Sequence, residues 1–319
     1  MKRRQFLGLI ASALGTGFGG GVGAASLVSG RRTQDYTSAG DLCITPAPGI
    51  QPVSDRLPAS LTLAGSRLPK TAFLDAIAGK LSARGQPVAV HGGGCDDAIA
   101  AVRGRRAHFG NLCCPVDGSP ASGFQWLPIA RDIKAVVVHP DNPLESISLG
   151  ALRGIARGQI RNWKEVGGND RPIALVVHDH CPTYFEPVRQ LLLQGEAPWS
   201  GHRLSATTDE DHLRQIIRFS AAIGVNSLVL ADPYVARGEL KVLKVDGVAP
   251  GVVAAAAGEY PLTGPFNIIF SEWEEASMRP FLDYLFSNDG QAGIRERAVP
   301  VPRDRALAVG RAPSYAARA

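Results

Sequence analysis

Pro172-Ile173-Ala174-Leu175-Val176-Val177-His178-Asp179-His180-Cys181-Pro182-Thr183-Tyr184-Phe185 reads as a strand, a polar turn and the start of a helix. The run to Val177 is short, apolar and β-branched at its end, the pattern of a buried strand. Phe185 to Leu193 continues as a helix. A polar turn between a strand end and a helix start is where open α/β sheets take ligands. This turn carries His178, His180 and Cys181.

The same unit recurs outward from it. Leu61 to Gly65 is a short strand. A helix follows from Pro69 to Ala83, with Phe73, Ile77 and Leu81 on one face, Leu74 and Ala78 widening it, and Gly85 and Pro87 ending it. Val88-Ala89-Val90 is the next strand. Gly92-Gly93-Gly94-Cys95-Asp96-Asp97 is a glycine-rich turn, and Ala98 to Arg103 is helical. His108-Phe109-Gly110 then leads to Asn111-Leu112-Cys113-Cys114-Pro115. Strand, turn and helix in repetition predict an α/β fold whose sheets are mixed but mainly parallel, flanked by helices.

A long apolar strand lies within 126–138, and Leu149 to Arg157 is a helix. Thr208 with Asp211 suits a helix over 211–219. Strands are expected at 222–225, 240–245 and 266–270, with a looser apolar run over 248–257. Ser271 and Glu274 read as a capping box, 280–286 as a helix, and 303–319 as a ragged tail.

The chain has 319 residues, 45% apolar and 20% charged, which suits a globular protein with well-filled cores. Its net charge of +5 is scattered, with no basic stripe interleaved with aromatics, so nucleic-acid binding has little support, and the basic balance weakly suits an anionic ligand. Lys2-Arg3-Arg4-Gln5-Phe6-Leu7, followed by a glycine-rich apolar run to Val28, resembles a twin-arginine export signal over 1–28. Residues 29–58 read as a linker, where Cys43 lacks a lipoprotein context. No second apolar span of membrane length follows. A periplasmic protein is expected, membrane-tethered if the signal stays uncleaved.

Ser148-Leu149-Gly150-Ala151-Leu152-Arg153-Gly154-Ile155-Ala156-Arg157-Gly158-Gln159-Ile160-Arg161-Asn162-Trp163-Lys164-Glu165-Val166-Gly167-Gly168 resembles a signature of the periplasmic phosphate-binding proteins of ABC importers. Ala222-Ile223-Gly224, Tyr260-Pro261-Leu262-Thr263 and the stretch from Phe281 to Gln291 resemble further segments of that family, in order. The resemblance implies a two-lobed solute-binding fold with a ligand cleft between lobes. Lobe one would be 59–130 plus 235–302 and lobe two 131–234.

The family's ligand residues carry over poorly. Its serine after the second strand falls at Cys95, behind Gly94, and its aspartate after a Phe-Gly pair falls at Cys113. Its Ser-Gly-Thr triplet reads Cys181-Pro182-Thr183 here. Its arginine four residues before that triplet is Val177. The early loop that carries a threonine donor in the family has Ser66 and Arg67 here. Pro182 has also lost an N–H donor.

Three oxygen-based ligand positions have thus become cysteine. Cys95, Cys113 and Cys181 meeting in one cleft would suit a thiophilic metal or metalloid, with His180, His178, Cys114 or His91 as a further ligand and Arg67 balancing thiolate charge. Three readings stand beside this one: disulfide staples in an oxidising compartment, an oxyanion site built from thiols, Thr183 and backbone N–H groups, and a catalytic or redox thiol at Cys181. His108 reads as a loop or surface histidine and Trp163 as packing. The expectation is a non-enzymatic monomer that requires no cofactor. Its partners are a small inorganic ligand and an ABC-importer permease or a membrane sensor.

Overall fold

The computed structural model describes residues 56–178, 187–194 and 198–317, which lie within one compact unit, Tyr36–Ala319. Residues 1–28, read above as an export signal, the expected linker up to residue 55 with Cys43, and His180, Cys181 and Thr183 fall outside the described residues.

The chain opens with β1 (Leu61–Ser66). A helical stretch begins at Arg67–Pro69, widens to π geometry over Lys70–Leu74 and becomes α1 (Asp75–Ser82). Then come β2 (Val88–Gly93), α2 (Cys95–Arg103) and β3 (Phe109–Leu112). β1 pairs in parallel with both β2 and β3, so three strand ends point the same way. Phe73, Ile77 and Leu81 are buried as their spacing requires.

β4 (Gln125–Val138) is long enough to serve two sheets. Its first part pairs antiparallel with β10 (Thr263–Phe270), which also pairs with β3. Its second part, from Lys134, pairs with β8 (Ala222–Ser227). The second sheet continues through β6 (Ala174–His178) to β7 (Arg203–Ala206), both parallel to their neighbours. The two-lobed, mixed α/β architecture expected from the sequence is present. β5 (Ser146–Ile147), α3 (Leu149–Ala156), α4 (Pro187–Leu193), α5 (Asp209–Arg218) and α6 (Leu228–Ala236) complete most of the second lobe. Trp163 is buried, and its indole N–H donates to the Ala221 carbonyl at 2.9 Å, which ties the signature segment to the start of β8.

Several local expectations need correction. β9 (Lys241–Val245), placed in lobe one on sequence, pairs with β4 at Val136–Val138 and with β5, inside the second sheet. The run over 248–257 contains a helix, α7 (Val252–Ala257). Ser271 is no cap: α8 (Glu275–Leu285) starts after Glu274 and carries Pro280 within it. α9 (Asn288–Arg295) and the short β11 (Val299–Pro300) follow. The tail is not ragged. α10 (Arg303–Val309) and α11 (Pro313–Ala316) are formed, Arg311 and Trp126 exchange backbone hydrogen bonds, and Tyr315 is fully buried with its hydroxyl on Asp283. A single aromatic among alanines and arginines gives no clear periodicity, which is why the sequence hides this.

Candidate functional site

β1, β2 and β3 end at Ser66, Gly93 and Leu112, and the loops leaving them hold Arg67, Gly94-Cys95 and Cys113-Cys114. Close backbone approach brings the loops together. Gly65 has φ +135°, and a Cβ there would lie 2.3 Å from the Asn111 carbonyl oxygen. A Cβ at Gly93 would lie 2.0 Å from Asp97 Oδ2, the carboxylate that accepts from Gly94 N–H at 3.2 Å. Asn111 fixes the register from the other side, its side-chain amide donating to the Ser66 carbonyl at 2.6 Å.

Cys95 is the first residue of α2 and is buried. Cys114 is buried and Cys113 half-buried. Cys95 Sγ lies 3.6 Å from Cys113 Sγ and 2.8 Å from Cys114 Sγ, and all three sulfurs lie within 4.8 Å of one another. Side chains alternate along a strand. β3 ends at Leu112, and a bend over Cys113-Cys114 breaks that alternation, so adjacent cysteines aim at one point. Asn267 holds the bend by donating to the Cys114 carbonyl at 2.8 Å. Hydrogen bonds from Cys114 and then Cys95 hold the Cys113 thiol well below its ordinary range. Cys95 and Cys114 are pushed well above theirs, first by hydrogen bonding to Cys113 and also by burial. Among the three, Cys113 is the thiol whose ionisation its neighbours favour, and it is also the most accessible.

Behind Cys113 is an ion pair that sequence reading passed over. Asp132 and Lys134 alternate on one face of β4 where it changes sheets. Lys134 Nζ lies 2.8 Å from Asp132 Oδ2, and Ser227 Oγ donates to Asp132 Oδ1 at 2.8 Å. Both charges are buried, at 1% and 5% exposure. Burial raises the Asp132 carboxyl above its ordinary value, against the pull of Lys134. The signal was legible as Arg131-Asp132-Ile133-Lys134, charges set into an otherwise apolar strand.

The second lobe presents the ends of β6, β7 and β8. Thr208 caps α5 as expected, two residues earlier than placed, its hydroxyl accepting from Asp211 N–H at 3.0 Å. Glu210, in the first turn, meets Arg67 from the first lobe at 2.8 Å, so the two sets of strand ends face each other. Arg67 is thus engaged by a carboxylate. His178 lies 3.1 Å from Asp209 and stacks on His212, with ring centroids 4.1 Å apart. It belongs to a second-lobe network with Asn226, away from the three sulfurs. His91 lies in β2 opposite Ala64. His108 is buried rather than in a surface loop, its Nδ1 accepting from Thr62 N–H and its Nε2 facing Glu274 at 3.3 Å.

Two sheets that share β4, with strand-end loops of one meeting those of the other at Arg67 and Glu210, make a two-lobed α/β fold. Residues 46–289 match the family model of the PBP superfamily domain, and the chain belongs to that superfamily. It is 33% identical over 163 residues to the phosphate-binding protein PstS of Bacillus subtilis (strain 168), covering 50% of this chain and 51% of that one. It is 23% identical over 182 residues to PstS of Borreliella burgdorferi, covering 55% and 65%. The chain thus spans about half to two thirds of the length of these relatives. Among solved structures, an ABC-type phosphate transport receptor from Vibrio cholerae superposes with a TM-score of 0.59 at 23% identity, over 76% of this chain and 100% of that one. The phosphate-bound periplasmic protein PfluDING superposes with a TM-score of 0.62 at 15% identity, over 78% and 92%. At these identities the structures establish the fold.

Proposed function

We propose that this protein is the exported solute-binding component of an ABC importer, working in the periplasm, and that its cleft takes a small oxyanion of the phosphate class. The superfamily match over 46–289, together with relatives named phosphate-binding proteins, carries this reading. No helix among the described residues is long and apolar enough to cross a membrane, which agrees with an exported protein.

The first lobe offers the loop after β1, with Ser66 and Arg67, and the Gly94-Cys95 turn at the start of α2. For the second lobe the family resemblance supplies Thr183 as a candidate, a residue outside those described. Arg67 is the cation the anion takes over from Glu210. That exchange couples binding to a change in the contact between lobes, the hinge behaviour of two-lobed receptors. Nothing in this role requires bond-making, and the protein acts as a binder rather than a catalyst.

Calorimetric titration of the purified full chain with phosphate, arsenate and a phosphonate tests the reading. One equivalent should bind at Kd of about 1 μM or tighter, near −8 kcal/mol. Arg67→Ala should weaken binding and Glu210→Ala should strengthen it. Absence of binding to all three anions at Kd of about 1 mM, near −4 kcal/mol, would overturn the assignment.

A further inference from the structure

The Cys95, Cys113 and Cys114 sulfurs have a geometry that oxyanion binding does not use. Sulfurs that share one ion at about 2.3 Å sit about 3.8 Å apart. The separations from Cys95, 2.8 and 3.6 Å, lie below that spacing, and all three sulfurs fall within 4.8 Å of one another, so a small outward shift of Cys114 reaches it. All three belong to the lobe of β1–β3, so the site stands ready without closure of the cleft. Cys113, half-buried, is its entrance. The inner wall is apolar, formed by Ile99, Val102, Leu112, Val116, Phe124 and Ile269.

Charge selects among thiophilic ions. An apolar, buried pocket accepts a neutral complex and rejects a charged one. Nearby, Lys134 is cancelled by Asp132 at 2.8 Å. Three thiolates carry three negative charges. A trivalent ion brings the complex to zero, a divalent ion leaves one charge and a monovalent ion two. Zinc also requires a fourth ligand, and among the described residues the ligand group consists of these three cysteines.

We propose that Cys95, Cys113 and Cys114 form a preformed three-sulfur site for a trivalent, three-coordinate thiophilic element of the arsenic and antimony class, captured as its neutral hydroxide. Three S–H bonds and three element–oxygen bonds break, and three element–sulfur bonds form. The thiol protons leave with the hydroxyls as three waters, and no atom changes oxidation state. This site differs from the set expected on sequence, in which Cys181 of the other lobe was the third thiol. It does not depend on the importer reading.

The test uses the reduced full chain with sodium arsenite, in parallel with zinc and with monovalent copper, and phosphate titration on the same samples. Arsenite should add one arsenic per chain by mass, with loss of three reactive thiols, and arsenic-edge absorption should report three sulfur neighbours. Cys95→Ser, Cys113→Ser and Cys114→Ser should each weaken uptake by about 100-fold or more, beyond the loss that follows removal of an outer partner. Cys43→Ser with Cys181→Ser should leave uptake intact. The far-ultraviolet spectrum and the absorption edge of each variant separate a lost ligand from a lost fold. Arsenic bound through Cys181, a Cys95–Cys114 disulfide that persists under reductant, or tighter binding of zinc or copper than arsenite would each overturn the proposal. Phosphate binding can fail or succeed without touching any of these results.

Discussion

Lys134→Met removes the cation paired with Asp132 at the strand position where the two sheets exchange β4. Asp132 is 1% exposed and keeps one other donor, Ser227 Oγ at 2.8 Å. A hydroxyl does not neutralise a carboxylate, so the variant carries an uncompensated buried charge or takes up a proton. Breaking a buried pair from one side costs about 3–5 kcal/mol. At roughly 2–4 °C per kcal/mol for large domains, Tm should fall by about 6–20 °C. The loss should depend on pH with a definite sign. Burial already raises the folded-state pKa of Asp132 above its ordinary 3.8, and Lys134 opposes that rise. A carboxyl raised in the folded state binds more protons folded than unfolded between the two values, so stability falls as pH rises through that window. Removing Lys134 extends the window upward, and the deficit against the parent should be larger near pH ~8 than near pH ~5. Calorimetric scans at matched ionic strength measure it, and Asp132→Asn combined with Lys134→Met should recover most of the loss. A single variant within about 1 kcal/mol of the parent at every pH, or a double variant no better than the single, would refute the reasoning.

Three further outcomes follow from packing and titration. Tyr315→Ala, or truncation after Pro302, should cost about 3–5 kcal/mol in urea unfolding, as for other buried aromatics, whereas a ragged tail would cost nothing. Trp163→Ala should lose a similar amount, and Trp163→Phe should lose only about 0.5–1.5 kcal/mol, because the Ala221 carbonyl loses the indole donor but keeps the Ala174 N–H at 3.0 Å. Burial first of all lowers the His108 pKa below 6.5, against Glu274. The unfolded chain then binds more protons in that window, so His108 contributes stability that is lost as pH falls below about 6.5, and His108→Gln should flatten that limb of the stability profile.

The alternation of strands and helices was readable because each element has one period. Phe73, Ile77 and Leu81 mark a helical face, and Leu175 to Val177 mark a buried strand, whatever the rest of the chain does. The Asn162-Trp163 segment identified the family for the same local reason: its capping and its buried indole are made within the chain's own neighbourhood and with the adjoining strand. The C-terminal helices escaped notice because Tyr315 buries against residues from distant elements. β9 was assigned to the wrong lobe because pairing partners are chosen by the sheet, and the strand's own residues do not encode the choice.

The sequence by itself determined residue type and order: cysteines stand at 95, 113 and 181, where the resemblance to phosphate-binding proteins implied oxygen ligands. Which sulfurs share a point was decided by tertiary structure. The bend after Leu112 turns Cys114 to the same side as Cys113, Asn267 holds that bend, and the start of α2 delivers Cys95 to both. Those contacts join residues far apart in the chain, and no local pattern of the sequence specifies them.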